Sequence, residues 1–388
     1  MHQYVIIGAG PAGCIISRMI KKQFPDDTVI LIEQSKDVGY QANCPFLHFK
    51  YGKHPDAVFV QNMDQIKKSK IDLILDEQIS RIDYTQKLVV GKSKQYKFDK
   101  LIFAIGQQNT SIPNTIPSRS CAQLRALRKQ LQTESTQVNI IGNNMTAILL
   151  ADSLKDYPTK IYASSAALEL DVEYKILELI KKELKSEIVF STPPTAVPTS
   201  TPTINTLTQP HSTFSIKQNM NYQQPSVYAI GSCTYPQTTQ QFIFTQAVYI
   251  LNHLMEKNPP PLQFLNNRQF SLGTRVFGRV GANLSESCKL VTISDSFRAE
   301  FMPTHHVVHV HMIVENETGI IRGIQVGSKH DVSQYMQIGA LIVGKQMTAA
   351  QLILQDFFFQ PHFGKPFHLF NVAAVAACGE VPPFEEYK

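Results

Sequence analysis

Residues Gly8-Ala9-Gly10-Pro11-Ala12-Gly13 have the spacing G-x-G-x-x-G, and they separate an apolar run at 4–8 from a stretch of helical pattern at 11–23. This arrangement limits the fold more than any other feature of the chain. The run Tyr-Val-Ile-Ile-Gly reads as a buried parallel strand, and Thr-Val-Ile-Leu-Ile-Glu at 28–33 reads as the next strand. Gly8 permits the tight turn, Gly10 lets the backbone approach a pyrophosphate, and Gly13 lets helix and strand pack closely. Phosphates then meet the free N–H groups at the helix N-terminus. Glu33 ends the second strand twenty residues after Gly13, where a carboxylate can take ribose hydroxyls. The first 33 residues are therefore expected to hold the ADP half of a dinucleotide.

The rest of the chain divides around that unit. Strand patterns recur at 71–75, 79–83 and 87–90, and Lys100-Leu-Ile-Phe-Ala-Ile-Gly106 reads as another buried strand. A second strand–helix–strand pattern covers 137–141, 144–156 and 159–163. An amphipathic helix is expected at about 170–185 and a short strand at 187–191, and the Pro- and Thr-rich residues 192–213 read as irregular connection. Val227-Tyr-Ala-Ile-Gly231 is a further strand, followed by a long helix at about 237–256 and a Pro259-Pro260-Pro261 linker. Beyond it, strands are expected near 270–278, 288–294, 305–315 and 320–326, with helices near 331–345 and 348–358. The fold class is thus α/β: two Rossmann-like units, the second inserted in the first and shortened, plus a C-terminal α+β unit. Pro11 and the two Ala-Ile-Gly strands favour FAD over NAD in the first unit.

With 388 residues, 43% of them apolar, the chain has enough material for more than one core. Lys and Arg exceed Asp and Glu by 37 to 31, a mild excess with only short pairs such as Lys67-Lys68 and Lys181-Lys182. Nucleic-acid binding is not expected from that pattern. No window approaches the roughly 18 apolar residues of a membrane span, and the first strand begins at Tyr4, so a cytoplasmic address is expected. The six cysteines are scattered, without metal-ligand spacing. On a strand, His305, His309 and His311 share a face, but no acid or cysteine joins them, so an exposed strand face is expected and no metal.

Cys44, in Asn43-Cys44-Pro45, follows Glu33 by eleven residues, which in a doubly wound fold places it near the bound cofactor. Two readings stand: a redox thiol, active as the thiolate, or a buried small hydrophobe.

Several stretches together resemble the flavin-dependent pyridine nucleotide–disulfide oxidoreductases, and nearest among them the single-cysteine group of coenzyme A disulfide reductases, persulfide reductases and NADH oxidases. These stretches are Gly8–Gly13 with Glu33, Ala42-Asn43-Cys44, Leu101–Gly106, Val227–Cys233, the Gly323–Gly327 turn, and Phe359-Gln-Pro-His-Phe-Gly364 followed by Asn371. The resemblance implies an FAD-binding domain at 1–115 and 216–258, a reduced NAD(P)-like domain at 116–215 and a C-terminal interface domain at 263–388. It implies FAD contacts from Gly8, Gly10, Pro11, Ala12, Gly13, Glu33, Gln34, Ile79, Ala104, Gly106, Gly231, Ser232 and Phe359. It makes Cys44 the lone redox cysteine, with Asn43 and Lys22 meeting a small thiol or disulfide substrate, and the protein a homodimer. No second cysteine lies four or five residues from Cys44, so a two-cysteine mechanism is excluded.

The sequence also departs from the family. The second glycine loop reads Gly142-Asn143-Asn144-Met145-Thr146-Ala147, and the strand that should end in an acid ends in Tyr162-Ala163-Ser164-Ser165, which makes ordinary NAD(P)H binding doubtful. Ser232 stands where the family has an aspartate for a ribityl hydroxyl, a loss of about 1–2 kcal/mol. Phe359 stands where it has a tyrosine; His48 and His362 are the candidate proton sources, though a solvated or structural histidine is the expected reading of each. Two functions follow: an FAD-dependent reductase of disulfides or persulfides working through Cys44, or a repurposed, non-catalytic flavoprotein that keeps the fold as a structural or regulatory partner.

Overall fold

A computed structural model describes the chain except residues 52–57, 60–62, 135, 164–169, 171, 191–200, 210–225, 236–237, 300, 361 and 380–388. The strand end at Ser164-Ser165 and most of the 192–213 connection lie outside the described residues. The chain divides into two compact units: residues 1–169 with 186–262, and residues 170–185 with 263–388.

The first unit opens as the glycine motif requires, with β1 (Gln3–Ile7), α1 (Pro11–Gln23) and β2 (Thr28–Ile32). Short helices α2 (Leu47–Lys50) and α3 (Met63–Lys68) lead to β3 (Asp72–Ile74). β4 (Ile79–Asp83), β5 (Leu88–Gly91) and β6 (Gln95–Lys97) make a separate antiparallel sheet, before β7 (Lys100–Phe103) returns to the first one. β8 (Gln108–Asn109) and β9 (Ile116–Pro117) then lead into the insert, α4 (Cys121–Thr133), β10 (Val138–Ile141), α5 (Met145–Ser153) and β11 (Thr159–Ala163). Helix α6 (Tyr174–Glu183) belongs to the second unit. The chain returns through β12 (Glu187–Phe190), β13 (Thr203–Asn205), β14 (Thr208–Gln209), β15 (Val227–Ala229) and α7 (Gln240–Leu254).

Two parallel five-stranded sheets result, in the orders β15-β7-β1-β2-β3 and β12-β11-β10-β13-β9. Their central strands are mainly apolar because both faces are covered, with Asn139 of β10 a buried exception. Ile16 and Ile20 of α1 pack with Ile243, Ala247 and Ile250 of α7 in one fully buried cluster. The insert corrects one expectation. The 192–213 segment is not all irregular connection: its residues Thr203–Asn205 form β13, buried between β10 and β9. Three residues flanked by Pro and Thr carry no periodicity to announce a strand.

The second unit is built on β16 (Arg268–Leu272), β17 (Arg275–Gly281), β18 (Cys288–Ser296), β19 (Val307–Glu315) and β20 (Ile321–Ser328), an antiparallel sheet in the order β16-β17-β20-β19-β18. The single strand expected at 270–278 is a hairpin, turned at Gly273 with φ +57°. Helices α8 (Ser333–Gly344), α9 (Ala349–Ile353) and α10 (Leu369–Ala377) complete the unit. Val308, Val310, Met312 and Val326 pack with residues of these three helices in its main core.

His311 is on this sheet, and the exposed face expected for it is not observed: it is 1% exposed. Its register partners are Gln325 on β20 and Thr292 on β18, and Gln325 Oε1 accepts the Glu173 backbone N–H at 2.7 Å, just before α6. Burial, Lys175 and His309 lower the His311 pKa to about 4. A histidine held neutral by the fold contributes stability above its ordinary pKa that is lost as pH falls from about 6.5 towards 4. The melting temperature should therefore drop across that window, and His311→Gln should make the drop shallower. Circular dichroism melts at stepped pH check this; an unchanged slope would show that His311 is not coupled to folding.

Candidate flavin and thiol site

The glycine loop is shaped by contacts that leave no room for side chains. Gly8 has φ +103°, and a Cβ there would lie 2.5 Å from the Ala104 carbonyl oxygen at the end of β7. A Cβ at Gly13 would lie 1.8 Å from the Gly8 carbonyl oxygen, so α1 reaches its depth against β1 only with glycine there. At Gly10 the nearest atom to such a Cβ is the Tyr40 carbonyl oxygen, 4.0 Å away, which leaves that side of the loop open. Pro11 starts α1 at a position where its missing N–H costs no hydrogen bond. The Glu33 carboxylate reaches back to the loop, accepting from Ala9 N at 2.8 Å, Ser35 N at 3.0 Å and Ser35 Oγ at 3.1 Å. Burial pushes its pKa up, and these hydrogen bonds oppose the shift.

The other glycine motifs converge on this loop. Gly231, φ +87°, stands where a Cβ would be 2.9 Å from the Ala12 Cβ. A Cβ at Gly106, φ +67°, would meet an Arg119 guanidinium nitrogen at 3.3 Å and Ser232 Oγ at 3.5 Å. Gln246, wholly buried on α7, holds the Gly231–Thr234 turn: its Oε1 accepts from Gly231 N at 2.9 Å and its Nε2 donates to Thr234 Oγ1 at 2.9 Å. Sequence reasoning did not single out Gln246. A glutamine inside an otherwise apolar helix face was the available signal.

Asn43 and Cys44 lie in the loop that leaves β2. That loop is tied to the glycine turn by Gly39 N donating to the Ala9 carbonyl at 2.7 Å. Cys44 N donates to Gln41 O and Cys44 O accepts from Leu47 N, which shapes the turn into the four-residue α2. Arg119 Nη1 donates to Asn43 Oδ1 at 2.8 Å, and Arg119 N donates to Asn109 Oδ1 at 3.0 Å. Arg119 makes no ion pair among the described residues. Burial lowers its pKa to about 10, against the pull of Tyr40 and Cys44. Burial pushes the Cys44 thiol up to about 11, and Arg119 opposes it. Behind them, His48 Nε2 and Tyr40 Oη lie 3.2 Å apart. Burial, with Arg125 and Arg128, lowers the His48 pKa to about 4, so this imidazole is neutral at neutral pH. Arg119 is thus the site's fixed cation, and the sequence hid it in an unremarked Ser-Arg-Ser.

Other expected site residues are placed less decisively. Gln34 is exposed just after Glu33, and Ile79 is buried in the core beside Val5, Ile7 and Ile32. Lys22 is exposed in the last turn of α1. Phe359 belongs to the second unit, 45% exposed. His362 is exposed there too. Asn371 donates to the carbonyls of Leu352, Ile353 and Gln355 and so closes the end of α9.

The second glycine loop carries Asn144 where the first has Gly10. A Cβ at Gly142 would lie 2.1 Å from Thr206 Oγ1. Asn144 caps α5, accepting from Ala147 N at 3.1 Å and donating to the Thr206 carbonyl at 3.1 Å. Asn143 is buried, and its Nδ2 has no hydrogen-bond partner among the described residues.

The family model of the pyridine nucleotide-disulphide oxidoreductases matches residues 2–201, about half of the chain. The chain belongs to this family. An NADH oxidase of Enterococcus faecalis is 22% identical over 445 residues, covering 96% of this chain and 98% of its own. The water-forming NADH oxidase from Lactobacillus brevis, solved with NADH, superposes with a TM-score of 0.86 at 17% identity and covers 98% of both chains. A NAD-dependent persulfide reductase from A. fulgidus gives a TM-score of 0.86 at 16% identity over 97% of this chain and 83% of its own. At such identities the two solved structures show the fold.

This is a family of flavoprotein oxidoreductases, and it implies FAD. The residues present fit that group: the loop is open at Gly10, Gly13 admits no side chain, and the half-buried Arg119 faces no acid among the described residues. Gly13→Ala should give protein with little or no bound flavin, read as flavin absorbance per polypeptide. Normal flavin content would show that α1 tolerates displacement. In flavin-stripped protein, alkylation of Cys44 should rise with pH towards about 11. Arg119→Met should move that midpoint higher, because it removes the opposing cation. Mass spectrometry resolved by site checks this, and an unmoved midpoint would separate Arg119 from the thiol.

Proposed function

We propose that the protein is an FAD-dependent oxidoreductase in which Cys44 is the single redox thiol acting on a disulfide or persulfide substrate. One observation carries the reading: the loop bearing Asn43 and Cys44 is fastened to the glycine turn through Gly39 N and the Ala9 carbonyl, and one cation, Arg119, holds Asn43 and opposes the rise of the thiol pKa. A cysteine serving only as buried filler needs no such neighbour.

The thiol must lose its proton before it reacts, since a thiol at about 11 is overwhelmingly protonated at neutral pH. Arg119 favours the thiolate by charge. The thiolate attacks one sulfur of the substrate disulfide, forms a Cys44–sulfur bond, and releases the other half as a thiolate. FAD, when bound and first reduced by a pyridine nucleotide, would supply the two electrons that return the mixed disulfide to two thiolates. Asn43, fixed by Arg119, orients the group beside the reacting sulfur. His48 is neutral and within hydrogen-bond distance of Tyr40, so the pair can relay a proton without adding charge. Exposed Phe358, Phe359 and Phe363, 79%, 45% and 67% exposed, support the reading of the second unit as a homodimer surface.

The second reading, a flavoprotein turned to a structural or regulatory role, is favoured by the second loop, where Asn144 stands at the position of Gly10 in the first loop and caps α5. The buried Asn143 amide, without a partner among the described residues, supports a nucleotide bound in an altered way. Anaerobic addition of NADH or NADPH to the purified yellow protein decides between these. Bleaching of the oxidised-flavin band, and disulfide turnover that disappears in Cys44→Ser, are expected. A flavin that neither nucleotide reduces would overturn the nicotinamide route, and turnover that survives Cys44→Ser would overturn the role of Cys44.

A further inference from the structure

A cavity of about 530 Å³ opens in the first unit between α2 and α4, apart from the glycine loops. This is within the range of small-molecule sites. Its charged wall is a face of α4, with Arg125, Arg128 and Lys129 spaced so that one helical turn presents all three. Leu47, Val58 and Ala122 form an apolar part of the lining, and the half-exposed Tyr51 ring stands among them. No aspartate or glutamate is among the described lining residues.

The three cations are not equivalent. Arg125 is already engaged: Asp37 lies 3.8 Å from its Nη1, and its guanidinium sits 5.1 Å from the Phe59 ring centroid. Arg128 and Lys129 make no ion pair among the described residues. The positive charge of the wall is felt at His48, which also lines the cavity and which Arg125 and Arg128 help keep neutral. Like charges gathered on a concave wall repel one another, and a counter-charge placed among them relieves the repulsion. An arginine fork beside a lysine point charge suits phosphate oxygens, while the apolar lining and the Tyr51 ring suit an organic body.

We propose that this cavity binds a small phosphorylated molecule carrying at least two negative charges, its phosphates against Arg128 and Lys129 and its organic part towards Tyr51 and Leu47. The site lies apart from the glycine loops but shares His48, which also lines the cavity, with the relay proposed above; pyrophosphate binding is read without any redox turnover, so its failure and the failure of the Cys44 reading are distinguishable.

Calorimetric titration of inorganic pyrophosphate into the flavin-loaded, full-length protein tests this. Pyrophosphate should bind, and the double variant Arg128→Gln, Lys129→Gln should weaken binding by about tenfold or more, as expected for loss of two charge-assisted contacts. Ala126→Glu, which puts a carboxylate on the same exposed helix face, should abolish it. Lys92→Gln, exposed just after β5 and outside the cavity, should leave it unchanged. Flavin content and melting temperature equal to the parent protein establish that the variants fold. Absence of pyrophosphate binding to the parent protein, or equal binding by the folded variants, would overturn the proposal.

Discussion

The approach of Gly13 to the Gly8 carbonyl is the contact on which the first unit depends. With a hydrogen in place of a side chain, α1 sits close enough to β1 that the Gly8 turn closes against the end of β7. The same depth puts Ala12 against Gly231, so the turn after β15 can approach only because it too has no side chain there. Three distant stretches of sequence are thereby brought to one place, each glycine making room for the next. On the other side of α1, Ile16 and Ile20 meet α7, and Gln246 on that helix fixes the Gly231 turn by two hydrogen bonds. Packing below the helix and hydrogen bonding above it thus specify the same position.

Charge is arranged around that frame with economy. Glu33 turns its carboxylate to the Ala9 amide, and Arg119 comes from the opposite side, between Gly106 and Asn43. The two do not pair. Each is partly buried, and burial works against the charged form of both. An acid beside the glycine loop and a cation beside Asn43 and Cys44 give the site a polarity that a mutual salt bridge would remove.

How much of this was legible follows from how each element is held. β1, β2, β7 and β10 are short apolar runs covered on both faces, and such runs announce themselves. β13 does not, because Thr203, Ile204 and Asn205 are identified as strand only by the neighbours that pair with them. Helix α10, Leu369–Ala377, is apolar on nearly every side, so no 3.6-residue period marks it, and it was not expected. The site was legible where backbone shape demands a residue type, at Gly8, Gly13, Gly106 and Gly231. It was illegible where a side chain acts by reaching across the fold, as Arg119 reaches Asn43 from 76 residues away. His311 misled for a related reason: alternation on a strand gives the face, but whether that face is covered depends on elements elsewhere, here the segment at Glu173.

The two glycine loops of the chain show what drift does to a nucleotide cradle. In the first, the space beside Gly10 is open and the helix start is free to meet phosphate. In the second, Gly142 is crowded by Thr206 Oγ1 much as its counterpart Gly8 is by the Ala104 carbonyl, and the difference is Asn144, which stands where the first loop has Gly10 and caps α5. A helix N-terminus has unsatisfied N–H groups that a phosphate or a side chain can serve. Once Asn144 serves one of them, a nucleotide arriving there would displace a hydrogen bond instead of supplying a missing one. The same cap stabilises the helix, by about 1 kcal/mol for such residues. A side chain at that position therefore serves the stability of the insert, whereas in the first loop the helix start is closed by the approach of Gly13 to Gly8 and no side chain caps it.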